Sequence, residues 1–336
     1  MPWSTLARFT DPIACERAIQ GVSGIEIYPT TKGSFDTEIL KVRFDRLWMQ
    51  RFHSSLPQVI TCEHPADRQA ISFLTEEKSP KLLYCGREVL PGEIVVSRRE
   101  IMHKRFDANI RKGAMSLPKN ELNSAFQALM GHELPERQDM SIVRPPHASM
   151  SRLLNLHKAV GLLARDAPDI LQAPGVDRAL EQQMTHVMVQ CLAADGATSR
   201  PNRRGGAIMI RFEEFLEANA DRPLYLTEIC AALNVAERTL RASCEEALGM
   251  GPMRYLTFRR MHLARRALLR TDHSETTVTC IATDHGFWEL GRFSVAYRAM
   301  FGERPSETLR RPATRIAITL NRPSSLADAK SPASVN

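Results

Sequence analysis

Arginine dominates the basic residues in the last third of the chain, and its side chain is suited to binding anions. Lysine is absent between residues 207 and 322. A guanidinium group presents a planar fork of donors that grips a phosphate or a guanine edge at two points, whereas an ammonium is a point charge. A net charge of +7 also favours a polyanionic partner. A solvated basic face would give the same composition, so the spacing of the arginines has to decide. They include Arg238, Arg241, Arg254, Arg259, Arg260, Arg265, Arg266, Arg270, Arg292, Arg298, Arg304, Arg310 and Arg311.

The same third of the chain contains an internal repeat, which predicts two equivalent structural units. Ile229 and Ile281 are 52 positions apart, as are Asn234 and Gly286. Each unit has the pattern of a short helix, a turn, a second helix and a stop of the form apolar-Gly-x-x-Pro. The second unit has an insertion of one residue relative to the first, between Phe287 and Phe293.

The turn residues support a pair of helix-turn-helix units. A tight turn between two helices usually needs one residue at positive φ, which glycine accepts and asparagine tolerates. Asn234 and Gly286 stand at those places. A duplicated helical hairpin of purely structural role would share the apolar spacing. The residues predicted to face inward are Ile229, Leu233, Val235, Leu240, Leu248, Ile281, Phe287, Phe293, Tyr297 and Phe301.

A single long helix is predicted between the two units, from Met253 to Leu269. About 17 helical residues extend roughly 25 Å at 1.5 Å per residue. Second helices held at its two ends are therefore placed to enter successive major grooves, which recur roughly every 34 Å along one face of DNA.

Two motifs in the second unit identify a family. The segments Ile281-Ala-Thr-Asp-His-Gly-Phe287 and Phe301-Gly-Glu-Arg-Pro305 match the signature of the AraC/XylS transcription regulators. The chain from Ala207 to Arg311 resembles the DNA-binding domain of that family, in which two helix-turn-helix units are joined by a long helix. Less closely, the segment from Cys85 to Val96 resembles the family's cupin-like sensing domains.

The resemblance implies that the start of the second helix in each unit contacts DNA. The candidate DNA-binding residues are Arg238, Thr239 and Arg241 in the first unit and Glu289, Leu290, Gly291 and Arg292 in the second. Base reading is expected to come mainly from the two arginines of the first unit, which lie about a turn apart. The second unit, with only Arg292, is expected to contribute more phosphate and shape recognition.

The sequence also departs from the family pattern. Ala236 and Trp288 stand where a serine usually caps each recognition helix, and a missing N-cap costs roughly 1 kcal/mol. Ala242 and Val295 replace a frequent arginine, and Thr308 replaces an aromatic residue. The contacts of those family side chains are therefore not carried over.

The N-terminal part has strand-like and then helical patterns, so the fold class expected for the chain is α+β with two domains. An antiparallel β barrel or sandwich followed by helices precedes the all-α domain. Predicted helices begin at Pro118 and run from Ser149 to Ala164 and from Val176 to Ala194. The predicted strands are Val22–Tyr28, Lys41–Met49, Gln58–Cys62, Ala70–Leu74, Lys81–Leu90, Ile94–Ser97 and Met102–Phe106.

A polar stretch from Asp195 to Gly206 has the composition of a flexible interdomain linker. The expected organisation is therefore an effector-sensing and dimerisation domain over residues 1–200 and a DNA-binding domain over residues 207–311. Residues 312–336 are expected to form a loose tail.

Other functional classes lack their usual motifs. His53, His64, His103 and His147 are scattered and form no metal-binding spacing, so no catalytic residue, metal or cofactor is expected. The seven cysteines include no C-x-x-C pair, which disfavours a zinc ribbon and a methyl-transferring repair protein. A constitutive architectural DNA binder and, less favoured, a metal-dependent cupin-type enzyme remain as alternatives.

The expected function is that of a ligand-responsive transcription regulator, and the family resemblance favours an activator. Its expected partners are double-stranded DNA, RNA polymerase, an unidentified small-molecule effector and a second copy of the chain. With no apolar run of about 18 residues and no leader pattern at its N-terminus, the chain is expected in the cytoplasm and away from membranes.

Overall fold

Twelve strands form the N-terminal part of the fold in the computed structural model. The structure describes residues 3–19, 23–63, 65–97, 101–134, 140–173, 175–193, 204–219, 222, 224–271 and 276–311. The strands are β1 (Trp3–Phe9), β2 (Ser23–Pro29), β3 (Thr37–Arg43), β4 (Trp48–Ser54), β5 (Gln58–Glu63), β6 (Arg68–Leu74), β7 (Leu82–Tyr84), β8 (Arg87–Val89), β9 (Ile94–Ser97), β10 (Ile101–Phe106), β11 (Ile110–Pro118) and β12 (Ser141–Val143).

These strands form two antiparallel sheets. The large sheet has seven strands in the order β1-β3-β4-β11-β6-β9-β12, and the small sheet has five in the order β2-β5-β10-β7-β8. One hydrophobic core lies between the sheets and includes Ile27, Phe52, Ile60, Leu74 and Phe106. Within the described residues the sheets do not close on each other, so the expected barrel or sandwich is a sandwich.

Two predicted strands each turn out to be parts of two strands. The run Lys41–Met49 ends β3 and begins β4, with Phe44 N–H bonded to the Leu47 carbonyl at 2.9 Å. Apolar alternation continues through this turn and hides it. The run Lys81–Leu90 forms the β7–β8 hairpin, in which Cys85 and Gly86 both have positive φ, as its two-residue turn requires.

Strand β11 is not among the predicted strands, because Gly113 interrupts its apolar pattern with a residue type that is typical of turns. Gly113 instead lies inside the strand, opposite Phe73 of β6. A Cβ atom at this position would come within 2.5 Å of the Phe73 ring and 2.7 Å of His157. The missing side chain thus permits a close approach, which is a recurrent use of glycine in strands. Strands β1 and β12, most of β4 and helix α1 were also absent from the expectation.

Helices cover the outer face of the large sheet, where a second core joins Met49, Phe73 and Met115 to Leu153 and Val187. The predicted helices beginning near Pro118, Ser149 and Val176 are confirmed. Gly131 ends the first of them with φ of 77°, as a helix C-cap commonly does. The helices are α1 (Pro12–Ala18), α2 (Lys119–Met130), α3 (His147–Asp166), α4 (Pro168–Leu171) and α5 (Val176–Leu192).

The last third is all helical and has the predicted pair of helix-turn-helix units. The first unit is α7–α8, the second is α10–α11, and the 19-residue α9 joins them. The helices are α6 (Arg204–Ala218), α7 (Leu226–Leu233), α8 (Glu237–Leu248), α9 (Pro252–Arg270), α10 (Val278–Asp284), α11 (Leu290–Phe301) and α12 (Pro305–Arg310).

The predicted linker is described only at its end. Gly205 and Gly206 belong to α6, so this part of the predicted flexible segment is helical. Residues 194–203 lie outside the described residues, and so does the predicted tail from 312 to 336. Among the helices that the structure describes, none combines the length and apolar character that a membrane-spanning segment requires.

Candidate functional site

The first helix-turn-helix unit exposes the start of its second helix. Asn234 ends α7 in the left-handed conformation with φ of 50°, which confirms its predicted role in the turn. Leu240 is fully buried under α8. Arg238, Thr239 and Arg241 are all exposed, with Arg238 nearly opposite Leu240 and the other two on either side of it. The apolar anchor and the helical period together therefore turn the three candidate side chains outward.

Electrostatics differ between the two arginines of α8. Arg241 forms an ion pair of 2.9 Å with Glu237, one turn earlier on the same helix. Both side chains are about half exposed, so this pair adds little stability and is easily exchanged for another anion. Arg238 has no ion pair or hydrogen bond of its side chain within the described residues. Ala236, the N-cap residue, makes no side-chain cap, as predicted.

The second unit has the same turn chemistry but begins its second helix later than predicted. Gly286 occupies the turn with φ of 75°. Helix α11 starts at Leu290 with Glu289 as the N-cap residue, whereas Trp288 was expected at this place. The extra residue in this unit lengthens the loop before the helix, so the N-cap position moves toward the C-terminus.

The candidate residues of the second unit surround the first turn of α11. Glu289, Gly291 and Arg292 are exposed, and Leu290 is half-buried. Arg292 pairs with Glu289 at 2.9 Å. A Cβ atom at Gly291 would meet nothing within 4 Å, so this turn presents open backbone to a partner.

Sequence reasoning treated Trp288 and Val295 only as departures from the family, but they are among the most exposed large apolar residues. Their side chains are 71% and 73% exposed. Val295 lies three residues after Arg292 and thus on the same face of α11. The helical spacing from Arg292 to Val295 was the signal in the sequence that could have identified Val295 as part of the exposed face. The second unit therefore offers an apolar surface beside its single arginine.

Several arginines do not lie on the expected basic surface. Arg259, Arg265 and Arg266 of α9 are each more than nine-tenths buried. Arg266 forms ion pairs with Glu16 at 2.5 Å and Glu26 at 2.8 Å. For these three residues the anion-binding interpretation is corrected, because their guanidinium groups are already occupied by protein partners.

The ion pairs of α9 connect it to the N-terminal sheets. Arg265 reaches Asp11 at 2.9 Å, and the Arg266 guanidinium lies 5.1 Å from the centre of the Tyr28 ring. Tyr28 and Val59 share a hydrophobic core with residues of the first helix-turn-helix unit. The small sheet and the helical region are thus packed together through mixed apolar and charged contacts.

Strand β10 makes two further contacts to the first unit. His103 Nδ1 lies 3.7 Å from Glu213 Oε1 of α6. The guanidinium of Arg105 lies against Gly249, the C-cap of α8, where a Cβ atom would approach it to 2.6 Å. A cation at this position complements the partial negative charge of a helix C-terminus. The strand therefore contacts both α6 and α8.

Burial shifts the pKa of both groups of the His103–Glu213 pair toward their neutral forms. Burial lowers the pKa of His103 to about 4 and raises the pKa of Glu213 to about 7, against the opposing effect of Arg259. Charged groups removed from water lose their hydration, so the neutral forms are favoured. Near neutral pH His103 is consequently uncharged and Glu213 is about half ionised.

A cavity of about 150 Å³ lies between the two sheets. Its walls come from β3, β4, β6 and β11 on one side and from β2, β5 and β10 on the other. Sequence reasoning assigned no effector pocket. Part of a signal was present in Lys104, which stands two residues before Phe106 in a predicted strand and therefore on the same face of it.

The four histidines weighed as metal ligands are not gathered at one place. His53 lies on β4, His103 faces α6, and His147 begins α3, while His64 lies outside the described residues. In the part of the chain that the structure describes, no three histidine, cysteine or acidic side chains are grouped so as to hold a metal ion.

Known proteins resemble this chain over lengths that range from the helix-turn-helix region to two thirds of the chain. A family model described as a helix-turn-helix domain matches residues 229–311. XylDLEGF operon transcriptional activator 2 of Pseudomonas putida is 33% identical over 105 residues, which is 31% of this chain and 67% of that protein. Activator 3 of the same operon and organism is 34% identical over 222 residues, or 66% of each chain.

Other relatives share only a minor part of their length. The probable thc operon regulatory protein of Rhodococcus erythropolis is 41% identical over 97 residues, which is 29% of each chain. Among solved structures, the AraC-like transcriptional activator CuxR has 15% identity and a TM-score of 0.40, with 84% of this chain and 99% of that chain covered.

Proposed function

Because the chain belongs to the AraC/XylS family of transcription regulators, we propose that it is a sequence-specific DNA-binding transcriptional activator controlled by a small-molecule effector. The observation that carries the proposal is the pair of helix-turn-helix units, α7–α8 and α10–α11, each with an exposed second helix and both joined by α9. In this arrangement α8 and α11 enter adjacent major-groove segments.

Base recognition is assigned mainly to α8. Arg238 and Arg241 are exposed one turn apart, and arginine pairs with guanine at two points in the major groove. Thr239 lies between them and contacts a base or a phosphate. In the second unit, Arg292 and the open backbone at Gly291 meet phosphate, while Leu290, Glu289 and the apolar neighbours Trp288 and Val295 read groove shape and thymine methyl groups.

Control by an effector is supported by the packing of the helical region on the small sheet. A regulator needs two arrangements whose populations a ligand can shift. The contacts of Arg266 with Glu16 and of His103 with Glu213 hold the helical region in one arrangement. An effector bound between the sheets acts by changing the free energy of this docked state relative to a released one.

Control by an effector distinguishes the proposed regulator from a constitutive architectural DNA binder. A sensor needs a space for its effector, whereas an architectural protein shows no effector-dependent affinity for DNA. The cavity of about 150 Å³ therefore favours the sensor. The proposed domains are the effector-sensing and dimerisation domain over residues 1–200 and the DNA-binding domain over residues 207–311.

The remaining partners follow from the family and from the surface. The relatives named as operon activators favour RNA polymerase as a partner, and a chromosomal DNA target favours the cytoplasm as its location. A homodimer is supported by large apolar side chains left exposed on the helices over the large sheet, Leu129, Met130, Leu162 and Ile170.

Genome-wide mapping of bound DNA tests the function directly. The protein is expected at a small set of promoters that share a two-part site, and purified protein is expected to shift those fragments at salt concentrations where unrelated DNA is free. Uniform binding along the chromosome would support an architectural protein, and no binding at all would remove the proposal.

A further inference from the structure

The two helix-turn-helix units have separate apolar cores that are joined through α9. The first core includes Leu240 and the second includes Tyr297, while α9 supplies Leu256 to the first and Leu268 to the second. A cleft of about 20 Å³ lies between the ends of α6 and α10, where the two units face each other. Two bodies joined by one helix can change their relative angle unless a further contact fixes it.

Tyr28 of the small sheet links the two units. Its side chain is fully buried and belongs to the apolar core of the first unit. The centre of its ring lies 5.2 Å from that of His262 on α9, and the His262 ring lies 5.1 Å from Phe301 at the end of α11. Both contacts are edge-to-face, which is a favoured arrangement of such rings. A row of three rings therefore leads from the small sheet to the second unit.

A charged contact forms a second link. Arg265 Nη2 lies 2.9 Å from Asp11, the N-cap residue of α1, and 3.5 Å from Glu303, which directly follows the C-cap residue of α11. The side chains of Arg265 and Glu303 are about nine-tenths buried, so their pairing takes place largely out of water and depends on its partners. The N-terminal part and the second unit thus share one buried cation.

The first unit is held by contacts of its own with the small sheet. His103 of β10 faces α6, and a Cβ atom at Gly86 would lie 3.4 Å from the Ala247 side chain of α8. The recognition helices remain open, since Arg238 and Arg292 are both exposed. The N-terminal sheets therefore hold both units without covering their candidate DNA-binding residues.

We infer that the N-terminal sheets brace the two units of one chain at a fixed angle, and that Tyr28 and Asp11 thereby determine which spacing of the two DNA segments the chain accepts. Each added base pair moves the second segment by about 3.4 Å and turns it by about 35° around the DNA axis. A braced pair of recognition helices cannot follow this displacement, whereas units joined only by α9 adjust their angle. The inference rests on the proposed function, because it concerns DNA that α8 and α11 both contact.

Binding of the full chain to spacing variants of its own site tests the brace. Footprinting on a promoter fragment locates the segments that α8 and α11 contact. Titrations then compare this fragment with two others, in which one base pair is added or removed between the segments. The parent is expected to lose at least about tenfold in affinity for both altered fragments, because one lost bidentate contact or an equivalent distortion of the DNA costs that much.

The decisive variant changes only the N-terminal side of the brace. Asp11→Asn, Tyr28→Leu leaves the helical region unaltered, and asparagine still caps α1. This double variant is expected to bind the unaltered site within about threefold of the parent and to lose less than about threefold on either altered fragment. The matched control, Asp36→Asn, Phe44→Leu, removes a carboxylate paired with Arg8 and a buried ring of the large-sheet core. It is expected to keep the tenfold penalty.

Circular dichroism and binding to the unaltered site establish that the variants fold. If the double variant does not fold, Asp11→Asn alone decides, and its penalty is expected to fall below that of the parent. A parent that tolerates either change of spacing overturns the inference, and so does a deciding variant that keeps the full penalty or a control that loses it. Absence of site-specific binding refutes the proposed function as well, whereas specific binding that tolerates both spacings refutes only the brace.

Discussion

Arg266 Nη2 of the helix that joins the two helix-turn-helix units lies 2.5 Å from Glu16 Oε1, and both side chains are more than nine-tenths buried. The contact spans 250 positions of sequence. Glu16 also accepts a hydrogen bond of 2.6 Å from Ile27 N–H, which fixes it against β2. Burial raises the pKa of Glu16 while Arg266 lowers it, with a net rise. The N-terminal sheets thus hold α9 by charge as well as by apolar packing.

Removal of Arg266 is expected to destabilise the full chain strongly. Arg266→Ala leaves Glu16 buried without its cation, a loss of about 3 kcal/mol. Urea unfolding followed by circular dichroism measures it. Arg270→Ala, at an exposed site of the same helix, is the matched control and should change stability little. Equal unfolding midpoints for parent and Arg266→Ala would show that the docked arrangement is not maintained in solution.

Glu213 is expected to make stability depend on pH. Its pKa is raised to about 7 by burial, so its protonated form stabilises the fold fully below about pH 4.5, and this contribution is lost as pH rises through 7. Glu213→Gln removes this pH dependence. The free energy of unfolding of the variant minus that of the parent should therefore rise by roughly 3 kcal/mol between pH 4.5 and pH 7.

The pH test has an internal control in His103, which is present in both proteins. Its lowered pKa gives stability above about pH 6.5 that is lost as pH falls through 4, and this part cancels in the difference to first order. A difference between parent and Glu213→Gln that stays constant from pH 5 to pH 8 would contradict the buried position of Glu213.

Lys112 is expected to cost stability in the absence of a ligand. Burial on β11 lowers its pKa to about 7, so the penalty is fully present below pH 7 and disappears above about 10.5. Lys112→Met should therefore be more stable than the parent by roughly 4 kcal/mol at neutral pH, with the gain shrinking as pH rises. Thermal unfolding at pH 7 and pH 9 checks the sign.

The helices over the large sheet are expected to form a dimer interface. Leu162 and Ile170 are about half exposed, and a charge placed there would be buried without a partner in a dimer. Sedimentation is expected to give a dimer for the parent and a monomer for the Leu162→Glu, Ile170→Glu double variant. Lys158→Glu at an exposed polar site of α3 is the control. A monomeric parent would refute the dimer.

The helical region was the more predictable part of the fold, because its signals are local. Asn234 and Gly286 have the positive φ that the turns require, and Leu240 and Tyr297 are fully buried as their spacing predicted. The start of α11 was displaced because one inserted residue changes the loop and leaves no capping signal to mark the new N-terminus.

Long-range contacts were not predictable from one sequence. Nothing near Arg266 distinguishes it from the exposed Arg270, because its partners Glu16 and Glu26 lie in another part of the chain. Burial of Lys112 depends on the pairing of β11 with β4 and β6, and Gly113 concealed that strand. The exposed candidates on α8 and α11, in contrast, depend only on helix period and one buried anchor.

The central claim, that α8 reads bases, is tested most directly by the specific DNA affinity of an Arg238→Ala, Arg241→Ala double variant. Each lost bidentate contact should cost about 1 to 3 kcal/mol of discrimination. Binding to a mapped promoter fragment should therefore approach the affinity for unrelated DNA, while Arg270→Ala should retain specific binding. A folded double variant that binds the promoter as tightly and as specifically as the parent would contradict the assignment.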